Sequence, residues 1–268
     1  MRKILTIVAC LFCFALSAKQ NDSLIILNNR QKKQSEYPVI GMWKQNYLAT
    51  GFATNAPVSQ YTSDVKFQLS LAMRLWHIGN NVDIFATYTQ RSIWDIYQES
   101  CPFRETAYSP GFWVAWRVSP QVRMLFGIEH ESNGLNAEVS RSFNYATAAC
   151  LYEPHPNWHL GARAWFGYYD RENIERYFHY RGIMQLWGTF RTRNDRFAVT
   201  ALVNPTITFA RYNVQMEASW RMAKRGDWLT ALFVQYCYGY GETMIDYNRR
   251  ASKIRIGISL TNNKINLY

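Results

Sequence analysis

The sequence predicts an all-β protein, a transmembrane antiparallel β-barrel of about twelve strands that follows an N-terminal signal peptide. Long segments alternate apolar and polar side chains, as strands with one apolar and one polar face do. The connections between these segments alternate between short and long along the chain. Beyond the leader, no stretch has the about 18 apolar residues that a spanning helix needs.

The N-terminus has the order of a secretory signal peptide, and we predict that residues 1–18 are one. Two basic residues precede an apolar core, Ile4 to Phe14, and small residues follow up to Ala18, which is the pattern that signal peptidase cleaves. Residues 19–44 are polar and lack clear alternation, so we predict a periplasmic extension of unknown role. The predicted barrel then occupies residues 45–268.

The alternating segments define the predicted strands. In the segment from Tyr212 to Met222, for example, every second residue is apolar and the residues between them are polar. A soluble sandwich would show the same alternation with the apolar face turned inward, whereas a membrane barrel turns that face to lipid. The predicted strands are residues 45–54, 66–77, 82–94, 110–118, 121–132, 142–152, 157–168, 178–190, 195–204, 211–222, 227–238 and 252–260.

The connections favour the membrane barrel over the sandwich. Short connections such as Ser119-Pro120 alternate with long ones such as Asp95 to Ser109 and Gly239 to Ala251. Outer-membrane barrels have short periplasmic turns and long outer loops. Strands of about 9–11 residues also match a tilted crossing of the hydrocarbon layer. We therefore predict a barrel in the outer membrane of a Gram-negative cell.

Cysteine usage and charge exclude several classes. Two of the five cysteines leave with the leader, and Cys101, Cys150 and Cys237 are widely spaced without a CxxC pair. This disfavours a disulfide framework and a thiolate metal site. The formal charge of +11 is dispersed, with no basic run or recognition motif. We therefore expect anionic lipid headgroups, and no nucleic acid, as the partners of this charge.

The predicted strand 121–132 ends in a histidine and a serine. Residues i and i+2 of a strand share a face, so His130 and Ser132 continue the apolar face that includes Ile128. This places them on the lipid side, near the outer leaflet. A serine hydroxyl becomes a nucleophile when a neighbouring base takes its proton. Asn144, on the next strand, could orient the imidazole as a carboxylate does in the usual triad. The alternative is a pair of interfacial polar residues at a strand end.

A second polar residue lies on an apolar face. Gln90 follows Val82, Ile84, Ala86 and Tyr88 in phase. A polar side chain on the lipid face costs free energy, and a second copy of the chain packed against this wall would satisfy it. We therefore predict a homodimer that uses this wall.

The chemistry that follows is ester hydrolysis at the membrane. A substrate that reaches this site from lipid and carries an electrophilic carbonyl is a phospholipid acyl ester. Because Asn144 is neutral, it stabilises an imidazolium less than a carboxylate does, which leaves room for a cation or backbone donors to stabilise the oxyanion.

His130, Ser132 and Asn144, together with the residues around them, closely resemble the active-site region of the outer-membrane phospholipase A family. The resemblance extends roughly from Gln45 to the end, with the motifs in the family's order. It implies a twelve-stranded barrel, calcium-dependent release of fatty acids from the sn-1 or sn-2 position of phospholipids and lysophospholipids, and activation by homodimerisation. The motifs that carry it are His130-Glu131-Ser132-Asn133-Gly134, Ser140-Arg141-Ser142-Phe143-Asn144, Tyr88 to Trp94, Pro102 to Thr106 and Gly239 to Asn248.

The resemblance also implies roles for single residues. Ser132 would be the nucleophile, His130 the base and Asn144 its orienter. The chain departs from the family at Glu131, where Asp is usual.

Calcium in this family sits at the dimer interface. Its ligands here would be the Ser140 side chain, the Leu135 main-chain carbonyl and Ser100 of the partner subunit, and Gln90 matches the family's interfacial glutamine. Leu135 stands where Arg is common, and Cys101 occupies a position beside Ser100 often held by Ser.

Two other functions remain open on the sequence. A lipid A deacylase also uses a His-x-Ser pair, although in smaller barrels. A porin or structural barrel with a degenerate site would hydrolyse no lipid.

Overall fold

The computed structural model describes residues 35, 37–136, 139–169, 177–206, 208–222 and 229–261. The chain divides into two compact units, Met1–Gln34 and Ser35–Tyr268, and the described residues belong to the second. The predicted signal peptide and most of the predicted extension therefore lie outside the described residues. No helix in the described part is long and apolar enough to span a membrane.

The second unit is an antiparallel barrel. Consecutive strands from β2 (Asn46–Ala53) to β13 (Ala251–Thr261) pair with each other, and β13 pairs with β2, so twelve strands close on themselves and confirm the predicted fold. The two-residue strand β1 pairs separately with β3. The elements are β1 Ile40–Gly41, β2 Asn46–Ala53, β3 Ser63–Ile78, β4 Val82–Trp94, β5 Phe103–Arg117, β6 Val122–Ser132, β7 Ser142–His155, β8 Trp158–Tyr169, α1 Tyr177–Arg181, β9 Met184–Arg191, β10 Phe197–Pro205, β11 Tyr212–Arg221, β12 Leu229–Gly239 and β13 Ala251–Thr261.

Burial alternates along the strands as the sequence predicts. On β6, Phe126 and Ile128 are exposed, Ile128 by 64%, whereas Leu125 and Glu129 are buried. Closing the sheet turns one face of every strand into the lumen, so the buried polar side chains lie there and the apolar ones cover the outside. Outside and lumen are thus assigned for each residue of a strand.

Aromatic side chains fill part of the lumen. Residues 42–45 connect β1 to β2. Trp43 in this connection is buried against Phe85 and Trp113, whose ring centroids lie 6.0 and 5.1 Å from its own. Gly127 makes room for Trp113, because a Cβ at this position would lie 2.3 Å from the indole. Met42 and Trp43, near the end of the predicted extension, are thus buried in the barrel, whereas Ile40 is exposed.

The outer mouth is closed by the segment between β12 and β13. The carboxylate of Glu105 accepts hydrogen bonds from the backbone N–H groups of Met244 and Ile245 at 2.8 and 2.6 Å. Glu242 accepts one from Arg255 at 2.6 Å. Burial disfavours the charge on Glu242, but Arg255 outweighs this effect and holds the pKa of the carboxyl well below its usual value. These contacts fix the segment over the lumen.

Two predicted strands were wrong at their starts. The strand predicted at 178–190 begins only at Met184, because the preceding residues form helix α1, whose Tyr177 stacks on Phe143 with centroids 4.3 Å apart. The strand predicted at 110–118 begins at Phe103 and runs through Pro110. Proline usually ends a strand because it lacks an N–H. Pro110 stays paired with Tyr88 of β4, whereas the ladder between β5 and β6 skips Ser109 and Pro110 and resumes at Gly111.

Candidate active site

His130 and Ser132 lie at the outer end of β6, on the outside of the barrel. Both are partly buried, and the two residues that alternate with them, Glu129 and Glu131, are buried in the lumen. Because side chains alternate across a strand, the imidazole and the hydroxyl share the lipid-facing side. The structure therefore places the pair on the predicted face.

Asn144 meets the imidazole directly. It stands opposite His130 in the ladder between β6 and β7, and its Oδ1 lies 2.9 Å from His130 Nδ1. An amide oxygen only accepts hydrogen bonds, so Nδ1 carries the hydrogen in this contact. Nε2 of the neutral ring then keeps its lone pair and can accept a proton.

An ionic cluster in the lumen supports this strand from behind. Glu131 binds the guanidinium of Arg181 in α1, lies 3.6 Å from Arg91 of β4 and accepts a hydrogen bond from the Tyr145 hydroxyl at 3.3 Å. Burial opposes the charge on Arg181, but the Glu131 carboxylate outweighs it and keeps the pKa of this guanidinium well above its usual value. The backbone between His130 and Ser132 is therefore held through its lumen-facing side chain.

The segment after Ser132 is organised by Asn133. Its side-chain oxygen accepts the backbone N–H groups of Leu135 and Arg141 at 3.3 and 3.0 Å, and its amide donates to the Val139 carbonyl at 2.7 Å. Asn133 is buried. One side chain thus ties the two ends of this outer loop together beside the serine.

Two of the three predicted calcium ligands lie in this loop. Leu135 is exposed and Ser140 is partly buried, and a hydroxyl and a carbonyl are oxygen donors of the kind that Ca²⁺ binds. Ser100 lies in a different loop, between β4 and β5, where its backbone adopts a φ of 63°. The donor set suits a hard cation and needs further oxygens to complete a coordination number of about 6–8.

Gln90 lies on the same wall at the level of Ser132. It pairs with Tyr108 of β5, which in turn pairs with Ser132 of β6. Its amide oxygen accepts a hydrogen bond from the Tyr88 hydroxyl at 3.1 Å, and its amide nitrogen donates to Ser92 at 3.4 Å. Gln90 therefore has partners within its own chain, and its role in a dimer stays a prediction.

Arg91, Asn133 and Arg181 have no role predicted from the sequence, although the first two lie within the motifs that carry the family resemblance. Asn133 could have been noticed because asparagine readily bonds backbone groups in turns. The contacts of Arg91 and Arg181 with Glu131 could not be predicted locally, since these residues reach it from a strand and a helix that only the folded barrel brings together.

Comparisons with known proteins agree with this geometry. The phospholipase A1 family model matches residues 20–260. Phospholipase A1 of Escherichia coli strain K12 is 31% identical over 209 residues, 74% of this chain and 69% of that one. That of Proteus vulgaris is 29% identical over 207 residues, again 74% of this chain and 69% of that one.

Solved structures give the same result. Outer membrane phospholipase A from Escherichia coli superposes with a TM-score of 0.74 at 25% identity, over 85% of this chain and 99% of that one. The Salmonella typhi outer membrane phospholipase, a dimer with bound calcium, gives 0.74 at 25% identity, over 86% and 95% of the two chains. The chain described here belongs to the phospholipase A1 family and is an outer-membrane phospholipase.

Proposed function

We propose that this protein hydrolyses sn-1 or sn-2 acyl esters of phospholipids and lysophospholipids in a calcium-dependent reaction, as a homodimer, with Ser132, His130 and Asn144 as its catalytic residues. The observation that supports this most is the 2.9 Å contact between His130 Nδ1 and Asn144 Oδ1. It sets the tautomer that leaves Nε2 free to act as a base.

The reaction divides into two steps. Ser132 Oγ attacks the ester carbonyl carbon while His130 Nε2 takes the hydroxyl proton. The resulting tetrahedral intermediate breaks its bond to the glycerol oxygen, and His130 returns the proton to that oxygen. Water then attacks the acyl-serine, with His130 again as base, and the fatty acid leaves as Ser132 regains its proton.

Asn144 orients the ring throughout both steps. As a neutral group, it compensates the imidazolium less than a carboxylate would. A calcium ion, when bound, supplies positive charge for the oxygen on which negative charge develops. The residues of this chain that would hold it are Ser140 and the Leu135 carbonyl, in the loop that Asn133 ties together.

The wall below the pair suits an acyl chain. A shallow, open apolar groove lies on the outside of β5 to β8. Phe112, Phe126, Ile128 and Phe166 line it, and all four are exposed on this wall. Ile128 is the residue that precedes His130 on the same face, so a chain in this groove would present its ester to the site from lipid.

The dimer proposal rests on the same wall. Gln90, Tyr108 and Ser132 form one row across β4, β5 and β6. In the Salmonella relative, the dimer contains calcium. A second copy on this row would bring Ser100 of the partner subunit as a further oxygen ligand.

The direct test is fatty-acid release from phospholipid micelles. We expect release that requires calcium, stops with a chelator and is lost in Ser132→Ala. Ser142→Ala is the matched control, because Ser142 stands opposite Ser132 in the ladder. Hydrolysis that continues in chelator or in Ser132→Ala would refute the mechanism, and ion conductance without hydrolysis would favour a porin.

A further inference from the structure

The barrel wall has a break directly beside His130, where a proline occupies the middle of β5. Pro110 pairs with Tyr88 of β4. Since proline has no N–H, this pair is of the kind that exchanges no hydrogen bonds directly, and the nitrogen of Pro110 faces β6. The ladder bond that residue 110 would donate to the His130 carbonyl therefore cannot form. The register between β5 and β6 continues unshifted on both sides of this break.

A polar cavity of the lumen lies behind the break. Ser109 and Glu131, the lumen-facing neighbours of Pro110 and His130, are buried and line this cavity. Its volume is about 70 Å³, which is room for several water molecules, because one of them needs about 10–15 Å³. The cavity extends to Gly241 of the segment that closes the outer mouth. The side of the wall that faces away from the lipid is therefore polar at this level.

Two buried polar atoms border the residue that follows Pro110. Thr87 Oγ1 and Trp113 Nε1 have no hydrogen-bond partner within the described part of the chain, and their residues are only 6% and 0% exposed. A Cβ at Gly111 would lie 2.9 Å from the hydroxyl oxygen and 3.1 Å from the indole nitrogen. Buried polar groups are usually hydrogen-bonded, and ordered water satisfies those that the protein does not. These two atoms therefore indicate a water site on the lumen side of the break.

The lipid side of the same wall is apolar. In the proposed mechanism, the acyl chain stays attached to Ser132 after the first step, and it then lies along Phe126 and Ile128, which are exposed on this side. A second copy packed on the row of Gln90 would cover the same face. Both conditions exclude water from the lipid side of the acyl-serine, yet the second step of the reaction consumes one water molecule in every turnover.

We propose that the polar lumen supplies the hydrolytic water, which crosses the wall at the Pro110 break and reaches His130 from behind. This inference rests on the proposed function. A water in the break donates a hydrogen bond to the His130 carbonyl in place of the missing N–H.

The step that uses this water is the hydrolysis of the acyl-serine. The water oxygen forms a bond to the acyl carbon while His130 Nε2 takes one of the two water protons. The bond from the acyl carbon to Ser132 Oγ then breaks, Oγ receives that proton, and the fatty acid leaves with the remaining hydroxyl of the water. Pro110 and Gly111 touch no reacting atom and are positioning residues, because they act through the water.

The test measures the ratio of two products that form from one intermediate. Phospholipid micelles with calcium contain a fixed fraction of n-octanol, which attacks the acyl-serine from the lipid side and gives an octyl ester, whereas water gives the free fatty acid. The ratio does not depend on the amount of folded enzyme or on the rate of the first step. Pro110→Ala restores the ladder N–H, and Gly111→Ala places a methyl group against the two polar atoms. Both should lower the ratio of fatty acid to ester about tenfold, the scale of one lost hydrogen bond.

Matched variants separate the water route from general effects on the strands. Thr87→Val keeps the shape of its side chain but removes one water partner, so it should shift the ratio in the same direction even if Gly111→Ala does not fold. Pro205→Ala on β10 and Gly188→Ala on β9 make the same changes away from the site and should leave the ratio unchanged. An unchanged ratio in Pro110→Ala and Gly111→Ala, or an equal shift in the two controls, would overturn the proposal. Heat-dependent electrophoretic mobility verifies that every variant is folded.

A second measurement detects the water without catalysis. NMR of the mature protein with isotope-labelled indoles in micelles should show magnetisation transfer from water to the Trp113 indole N–H. This transfer should be lost in Gly111→Ala and kept in Gly188→Ala, and its absence from the wild type would overturn the proposal. A wild type that forms neither fatty acid nor octyl ester would instead refute the proposed function, and the transfer to Trp113 would then decide whether lumen water reaches the break.

Discussion

The carboxylate of Glu131 binds the guanidinium of Arg181 inside the lumen, behind the strand that carries His130 and Ser132. Glu131 lies between those two residues in the sequence and points to the opposite face. Arg181 belongs to α1, in the outer connection from β8 to β9, fifty residues along the chain. The ion pair therefore joins the outer loops to the backbone of the candidate active site.

Replacing Glu131 by Gln should lower both stability and activity. The change keeps the shape of the side chain but leaves the cation of Arg181 without its buried partner, which typically costs about 3–5 kcal/mol. Since Arg181 retains some solvent, we expect about 2–4 kcal/mol less free energy of unfolding. Urea unfolding in lipid vesicles, followed by tryptophan fluorescence, measures this change.

Glu153→Gln is the control for that variant. Glu153 pairs with Arg123 at 2.7 Å but its side chain is 32% exposed, so its loss should cost at most about 1 kcal/mol. If Glu153→Gln destabilised the protein as much as Glu131→Gln, the lumen cluster would have no special role behind the site. A fall in kcat with an unchanged KM in Glu131→Gln would further indicate that Glu131 positions His130 and Ser132.

Asn144 should matter through its oxygen acceptor. Asn144→Ala removes the group that receives the His130 Nδ1 hydrogen, so the ring can rotate or adopt the other tautomer, and we expect hydrolysis to fall by about 10²–10⁴. Asn144→Asp keeps an acceptor at this position and should retain much more activity. Initial rates on micellar phospholipid with saturating calcium compare the two, and equal losses would contradict an orienting role.

The sequence predicted the faces of the strands more reliably than the contacts between them. Alternation on β6 was enough to place His130 and Ser132 outside and Glu131 inside, because a strand has a period of two whatever surrounds it. The partner of Glu131 could not be predicted in this way. Arg181 reaches it only because the barrel closes and α1 folds toward the lumen, and α1 itself interrupts a segment that reads as a strand.

Gln90 shows a second limit of the sequence argument. A glutamine on an otherwise apolar strand face lacks hydrogen-bond partners only if its neighbours in the same chain cannot supply them. Tyr88 and Ser92, the residues two positions away on the same face, do supply them. The prediction of a dimer at this wall must therefore be tested on its own.

Gln90→Leu provides that test. If Gln90 lies at a dimer interface, its amide has one N–H left to bond across it, and the substitution should reduce the dimer fraction without changing folding. Chemical crosslinking in micelles with calcium and substrate analogue measures this fraction. Thr230→Leu, on β12 and outside the predicted wall of β4 to β6, is the control, and a dimer fraction equal in both variants would remove Gln90 from the interface.

Asn133 should set the apparent affinity for calcium. Without its three hydrogen bonds, the loop that carries Leu135 and Ser140 loses its fixed geometry. Groups that orient metal ligands are typically worth ten- to a hundredfold in affinity, so Asn133→Ala should raise the calcium concentration for half-maximal hydrolysis by about that factor. Asn136→Ala changes an exposed residue of the same loop and should have little effect. Calcium-dependent protection of the loop from proteolysis gives a readout independent of activity.

Glu105 should hold the outer mouth closed. Glu105→Ala removes both acceptors of the Met244 and Ile245 N–H groups, and each buried donor left without a partner costs about 1–3 kcal/mol. Arg249 and Arg250 are already exposed, but trypsin also needs a backbone that can leave its fixed conformation. The segment between β12 and β13 should then detach and be cut at these arginines in whole cells, while Glu99→Ala, in another outer loop, should resist cleavage. Ion conductance should stay low in both variants, because Trp43 and Trp113 still fill the lumen below. Conductance that rises with cleavage would show that this segment alone seals the barrel.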